Sequence, residues 1–167
     1  MTVEMELVGV RVDMPSNTPV LLLQEREGER RLLAIMIGGP EAQAIAFALD
    51  NVETRRPMTH DLITTLVDEL GAHIERIVIS ALRDDIFYAD LVLRADEDTH
   101  VVSARPSDAM AIAVRVGTPV YAEEAVLAEV GYVEEETPAD DDAVDADEVV
   151  EEFREFIDQV NPEDFAS

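Results

Sequence analysis

Cysteine, tryptophan and lysine are all missing from this sequence of 167 residues. Without cysteine there can be no disulfides and no thiolate metal sites. No stretch approaches the roughly 20 consecutive apolar residues that a membrane-spanning helix requires. The opening Met1-Thr2-Val3-Glu4-Met5-Glu6 lacks the basic flank and apolar run of an export signal. A cytoplasmic protein that makes no membrane contact is therefore expected. Without lysine, the twelve basic charges are all arginine, set against 38 acids, and the formal net charge is −26. Fifteen of the acids but only one arginine follow Val133, so the body is acidic as well as the tail. A field of that sign repels phosphate, and any contact with nucleic acid has to be local.

What is present is an ordinary globular balance, 47% apolar and 30% charged, enough for one domain with a real core. Val8, Val10, Val12 and Met14 alternate as in a strand, with a change of phase at Leu7-Val8-Gly9 that suggests a bulge. Val20–Leu23 and Arg31–Ile37 read as paired strands around Glu27-Gly28-Glu29, and Gly38-Gly39-Pro40 ends the second. Helices are expected at Glu41–Leu49, from Thr59 to Gly71, and at Ser107–Val116 before Gly117. Between the second and third lie strands at Ile74–Ala81, Ile86–Leu93 and Thr99–Ser103. A short strand at Pro119-Val120-Tyr121 and a small helix, Glu123–Glu129, complete the body. Blocks of adjacent strands without regular βα alternation predict an α+β fold, with a mixed, largely antiparallel sheet packed with helices. Residues 1–133 form the expected domain and 134–148 an acidic linker. Residues 149–167 carry an amphipathic helix whose stripe includes Val149, Phe153, Phe156, Ile157 and Val160. Phe153, Phe156, Ile157 and Val160 are the candidate partner-binding residues, for the same body, a second subunit or another protein.

Three segments place polar residues where helices begin: Ile37-Gly38-Gly39-Pro40-Glu41-Ala42, Arg56-Pro57-Met58-Thr59-His60-Asp61-Leu62 and Ala104-Arg105-Pro106-Ser107-Asp108-Ala109-Met110. Each supplies a first-turn carboxylate: Glu41, Asp61 or Asp108. Helix energetics alone can account for them, since Thr59 and Ser107 are natural N-caps and first-turn acids are stabilising. His60 is harder to explain that way, because a histidine gains nothing at a positively polarised helix start, although it suits a core position bonded to a carbonyl. Arg55, Arg56 and Arg105 beside two helix starts offer local positive potential for nucleic acid. Carboxylates, arginines and one histidine form the inventory of a metal-assisted phosphodiesterase. Glu41, Asp61 and Asp108 would hold Mg²⁺ or Mn²⁺, His60 would transfer protons, and Arg105 would stabilise the phosphorus centre. His73 and His100 have no motif around them and read as structural or surface residues.

The same segments resemble the signatures of the bifunctional nuclease domain family. Arg56–Leu62 is similar to its RP-hydrophobic-THDL run and Ala104–Ala109 to its A-R-P-S-D-[AS] run. Phe87-Tyr88-Ala89-Asp90-Leu91 and Ile37-Gly38 with Glu41-Ala42 are similar to two further elements, and the likeness runs from about Val8 to Glu129. It departs at Ser103, where many members carry an acid, and at Asp84-Asp85, where a glycine is usual. The resemblance implies an α+β fold, frequent homo-oligomers and nuclease activity on RNA and DNA. His60, Asp61, Arg105, Asp108 and Glu41 are the positions that match its motifs. The alternative expectation is a non-catalytic regulatory or protein-interaction module, whose helix starts bind a small anion or merely cap.

Overall fold

The computed structural model describes residues 1–134, which form one compact unit; the linker and tail-helix expectations at 135–167 lie outside the described residues. Strands β1 (Thr2–Asp13), β2 (Thr18–Glu25) and β3 (Leu32–Met36) precede helices α1 (Gly39–Leu49) and α2 (Thr59–Glu69). After them come β4 (Ala72–Arg83), β5 (Ile86–Ala95), β6 (Asp98–Ala104), α3 (Pro106–Val116), β7 (Val120–Glu123) and α4 (Glu124–Val130). All seven strands share one sheet in the order β3-β2-β1-β7-β4-β5-β6. Each of β1–β3 and β4–β6 is an antiparallel meander. The four-residue β7 stitches the two together, antiparallel to β1 and parallel to β4. The fold is α+β with a mixed, largely antiparallel sheet. Among the described residues, no helix is long and apolar enough to cross a membrane.

Local chemistry sets the boundaries. The register of β1 against β2 slips between Leu7 and Gly9, and Gly9 takes a φ of 152°, a geometry that favours glycine. Asp84 and Asp85 both adopt left-handed φ values, 49° and 61°, as a two-residue hairpin turn requires. Gly117, at φ 68°, ends α3 in a left-handed cap whose N–H bonds to Ala113 O. The helix starts differ by one or two residues from the expected caps. Met58 and Arg105, in extended conformation, are the N-caps, so Thr59 and Pro106 occupy the first helical position and Ser107 the second. Proline at that position disfavours helical geometry in the residue before it, and so makes Arg105 the cap.

The core is aliphatic and lies between the sheet and α1–α3. Leu21, Leu23, Leu33, Ile45, Ile77, Ile79, Met110 and Ile112 are among its fully buried side chains. Helix α3 is central, burying Ala109, Ala111 and Ala113 as well as Met110 and Ile112. Those alanines let α1 and α2 approach it closely. The three helix starts therefore gather at one end, beside the edge strand β6.

Candidate active site

A cleft of about 710 Å³ opens where these helix starts meet β6. Its walls are mostly apolar, with Phe47 from α1, Ile63 from α2, Leu91 from β5, Val102 from β6 and Ile112 from α3. Its polar groups include Glu41, His60, Arg105 and Asp108, joined into a single chain of contacts. Arg105 Nε donates to Asp108 Oδ2 at 2.7 Å and its Nη2 to Oδ1 at 3.1 Å. The same Nη2 lies 2.9 Å from Glu41 Oε1. On the far side, His60 Nε2 is 3.1 Å from Asp108 Oδ1.

Each link has a local cause. Glu41 sits in the first turn of α1, folded back against Gly38, where a Cβ would collide with its carboxylate. The Arg105 cap and the third helical residue Asp108 face each other across the first turn of α3. His60 is buried to 8% exposure in the first turn of α2. Burial pushes the Asp108 carboxyl up, but the hydrogen bonds from Arg105 and His60 outweigh it and hold the group below the ordinary carboxylate range. An ionised Asp108 can only accept, so in neutral His60 the Nε2 carries the proton and Nδ1 is the basic nitrogen. Arg105 is held charged by Asp108 first and Glu41 second. Its Nη1 donates to no protein acceptor among the described residues.

Asp61 is placed differently. It does not line this cleft but a neighbouring hollow of about 320 Å³. One oxygen accepts the backbone N–H of the α2 cap Met58 at 2.8 Å, and the other takes Arg115 Nε at 2.5 Å. Those two contacts, Arg115 first, hold its carboxyl below the ordinary range. Arg115 also donates to Ala44 O at 3.0 Å and Ala111 O at 2.7 Å, tying α1, α2 and α3 together. Arg115 carried no motif, and its only visible signal was a lone charge in the last turn of an apolar helix. Arg55 and Arg56 are exposed in the α1–α2 loop and do not line the cleft.

Among the described residues, no three His, Asp or Glu side chains gather as a metal ion would need. Arg105 occupies the space between Glu41 and Asp108, and Asp61 is turned to Arg115. As arranged, Glu41, Asp61 and Asp108 do not fit a divalent ion held by all three.

A family model for the bifunctional nuclease domain matches residues 21–135, which takes in every group in the cleft. The chain belongs to the bifunctional nuclease domain family. An uncharacterised protein of Mycobacterium tuberculosis is 48% identical over 165 residues, covering 97% of each chain. Bifunctional nuclease 2 of Arabidopsis thaliana is 26% identical over 141 residues, which is 77% of this chain and 43% of that one. Bifunctional nuclease 2 of Oryza sativa is 25% identical over 115 residues, 67% of this chain and 35% of its own. The chain thus spans less than half the length of these plant proteins.

Proposed function

We propose that this bifunctional nuclease domain hydrolyses phosphodiester bonds of RNA or DNA in the cleft between α1, α2, α3 and β6. The observation that carries the reading is the Glu41–Arg105–Asp108–His60 chain on the cleft wall. It sets a carboxylate-oriented histidine beside an arginine that has a spare donor. Arg105 Nη1 would bind a phosphate oxygen and offset charge as it develops at phosphorus. His60 Nδ1 would take the proton of the attacking water or 2′-hydroxyl as the new O–P bond forms. The imidazolium would return that proton to the oxygen released when the old P–O bond breaks. Asp108 orients the ring and stabilises its charged form, while Glu41 positions Arg105. For Mg²⁺ or Mn²⁺ to assist, Arg105 would have to release Glu41 and Asp108, so no step is assigned to a metal.

The test is cleavage of labelled single-stranded RNA and DNA by the purified full chain, with Mg²⁺, Mn²⁺ or a chelator, beside His60→Gln and Asp108→Asn. Cleavage lost in both folded variants supports the proposal. Cleavage that survives both overturns it.

A second reading, a non-catalytic regulatory or interaction module, draws on the complete pairing of Glu41, Asp61 and Asp108 with arginines. It expects no cleavage under any metal condition. Self-association, and a protein partner for Phe153, Phe156, Ile157 and Val160, would fit either reading. Comparing the sedimentation mass of the full chain with that of a chain ending at Val133 tests both.

A further inference from the structure

The charge around the cleft limits what it can hold. Glu41 and Asp108 set two negative charges against the guanidinium of Arg105 on the cleft wall. Arg115 lines the same cleft, but it is paired with Asp61 and donates to Ala44 O and Ala111 O, and the whole chain has a net charge of −26. A duplex or a polyphosphate, whose affinity comes from many phosphate contacts, meets little uncompensated positive charge here. The volume of the cleft, about 710 Å³, lies in the range of small-molecule sites, and most of its wall is apolar.

Beside that wall are uncommitted groups that could read the edge of a planar ring. Gln43 and Thr59 line the cleft, and their side chains make no hydrogen bond among the described residues. β6 is an edge strand, paired only with β5. Its residues Val102, Ser103 and Ala104 therefore reach the cleft from a strand with one side open.

We infer that the cleft takes one nucleotide unit at a time. A single base leaves its neighbours and enters the apolar pocket against Phe47, Ile63 and Val102, while its one phosphate meets Arg105 Nη1. The substrate class is then single-stranded nucleic acid or a free end, and base burial supplies more affinity than phosphate does. The inference rests on the nuclease reading for its choice of ligand but is read by binding alone, so the two can fail separately.

The experiment is calorimetric titration of the full chain, at matched ionic strength, with adenosine monophosphate, uridine monophosphate, adenosine, inorganic phosphate and a short DNA duplex. Both monophosphates should bind at least about tenfold more tightly than inorganic phosphate, and adenosine should lie between. The logarithm of the monophosphate affinity should fall only shallowly against that of salt, because one ion pair on a mononucleotide is screened but releases no condensed counterion layer. Val102→Glu, at an exposed edge position, should abolish monophosphate binding without lowering the melting temperature. Phosphate binding as tightly as the monophosphates, or a duplex binding best with a slope of several, would overturn the inference. So would a folded Val102→Glu protein that binds normally.

Discussion

Among the described residues, Arg31 and Arg105 are each gripped at close range by two carboxylates, and the difference between them separates a staple from the candidate site. Arg31 reaches Glu25 Oε1 at 2.7 Å and Glu124 Oε2 at 2.9 Å with its side chain only 17% exposed. It ties the β2–β3 hairpin to the start of α4, beside the backbone pair Leu32–Tyr132. Arg105 makes the same kind of pair with Asp108 and Glu41 but is 66% exposed over a cleft, with a histidine on one of its partners. Burial turns the first cluster into structure, because Glu25 has almost no water to fall back on. Exposure leaves the second free to exchange a carboxylate for a ligand at little cost in stability.

The contrast is sharpest for catalysis. His60→Gln should lower cleavage by about 10²–10⁴-fold, the usual contribution of a proton-transfer group, whereas Arg31→Ala should leave the turnover of the still-folded protein near that of the parent. Steady-state rates of both variants check this. Stability should show the reverse. Arg31→Ala strands the buried Glu25 charge and should cost about 3 kcal/mol in urea unfolding, the low end for a broken buried pair because Arg31 keeps some exposure. Arg105→Ala should cost less than about 1 kcal/mol, as exposed ion pairs do. Equal losses for the two arginines would break the comparison.

Acid should act through the buried cluster too. Hydrogen bonds from Arg31 hold Glu25 below its ordinary value of 4.5. A depressed carboxylate stabilises the fold above its unfolded value and loses that contribution as pH falls through the folded one. Melting temperature should therefore decline below about pH 4.5, and the decline should flatten in Glu25→Gln. A smaller effect is expected at Asp61. Asp61→Asn should cost about 1 kcal/mol, through the weakened cap and the lost Arg115 pair, while sparing cleavage. Loss of cleavage without loss of stability would instead return Asp61 to the site.

Much of the fold was legible because its signals are local. Gly9 marks the bulge, Asp84-Asp85 the hairpin turn, Pro106 and Gly117 the ends of α3, and apolar periodicity the rest. The insertion of β7 between the two meanders was not legible. Val120–Glu123 is too short to carry a pattern, and its partners Thr2–Met5 and Ile77–Ile79 are remote in sequence. In the site, the gathering of Glu41, His60, Arg105 and Asp108 followed from motifs at three helix starts. The turning away of Asp61 did not. A first-turn carboxylate reads the same whether it caps its own helix or faces a ligand, and only Arg115, 54 positions away, decides between them.

The late position of β7 also bears on how the chain reaches this state. Until Val120–Glu123 exists, β1 and β4 each expose an unsatisfied flank, and the N-terminal Met1 has no Glu123 or Glu124 to meet. Neither meander can finish its half of the sheet during synthesis, so assembly waits for nearly the last residues of the unit to emerge. Such a nascent chain carries two sticky borders from the completion of β4 until Val120–Glu123 emerges.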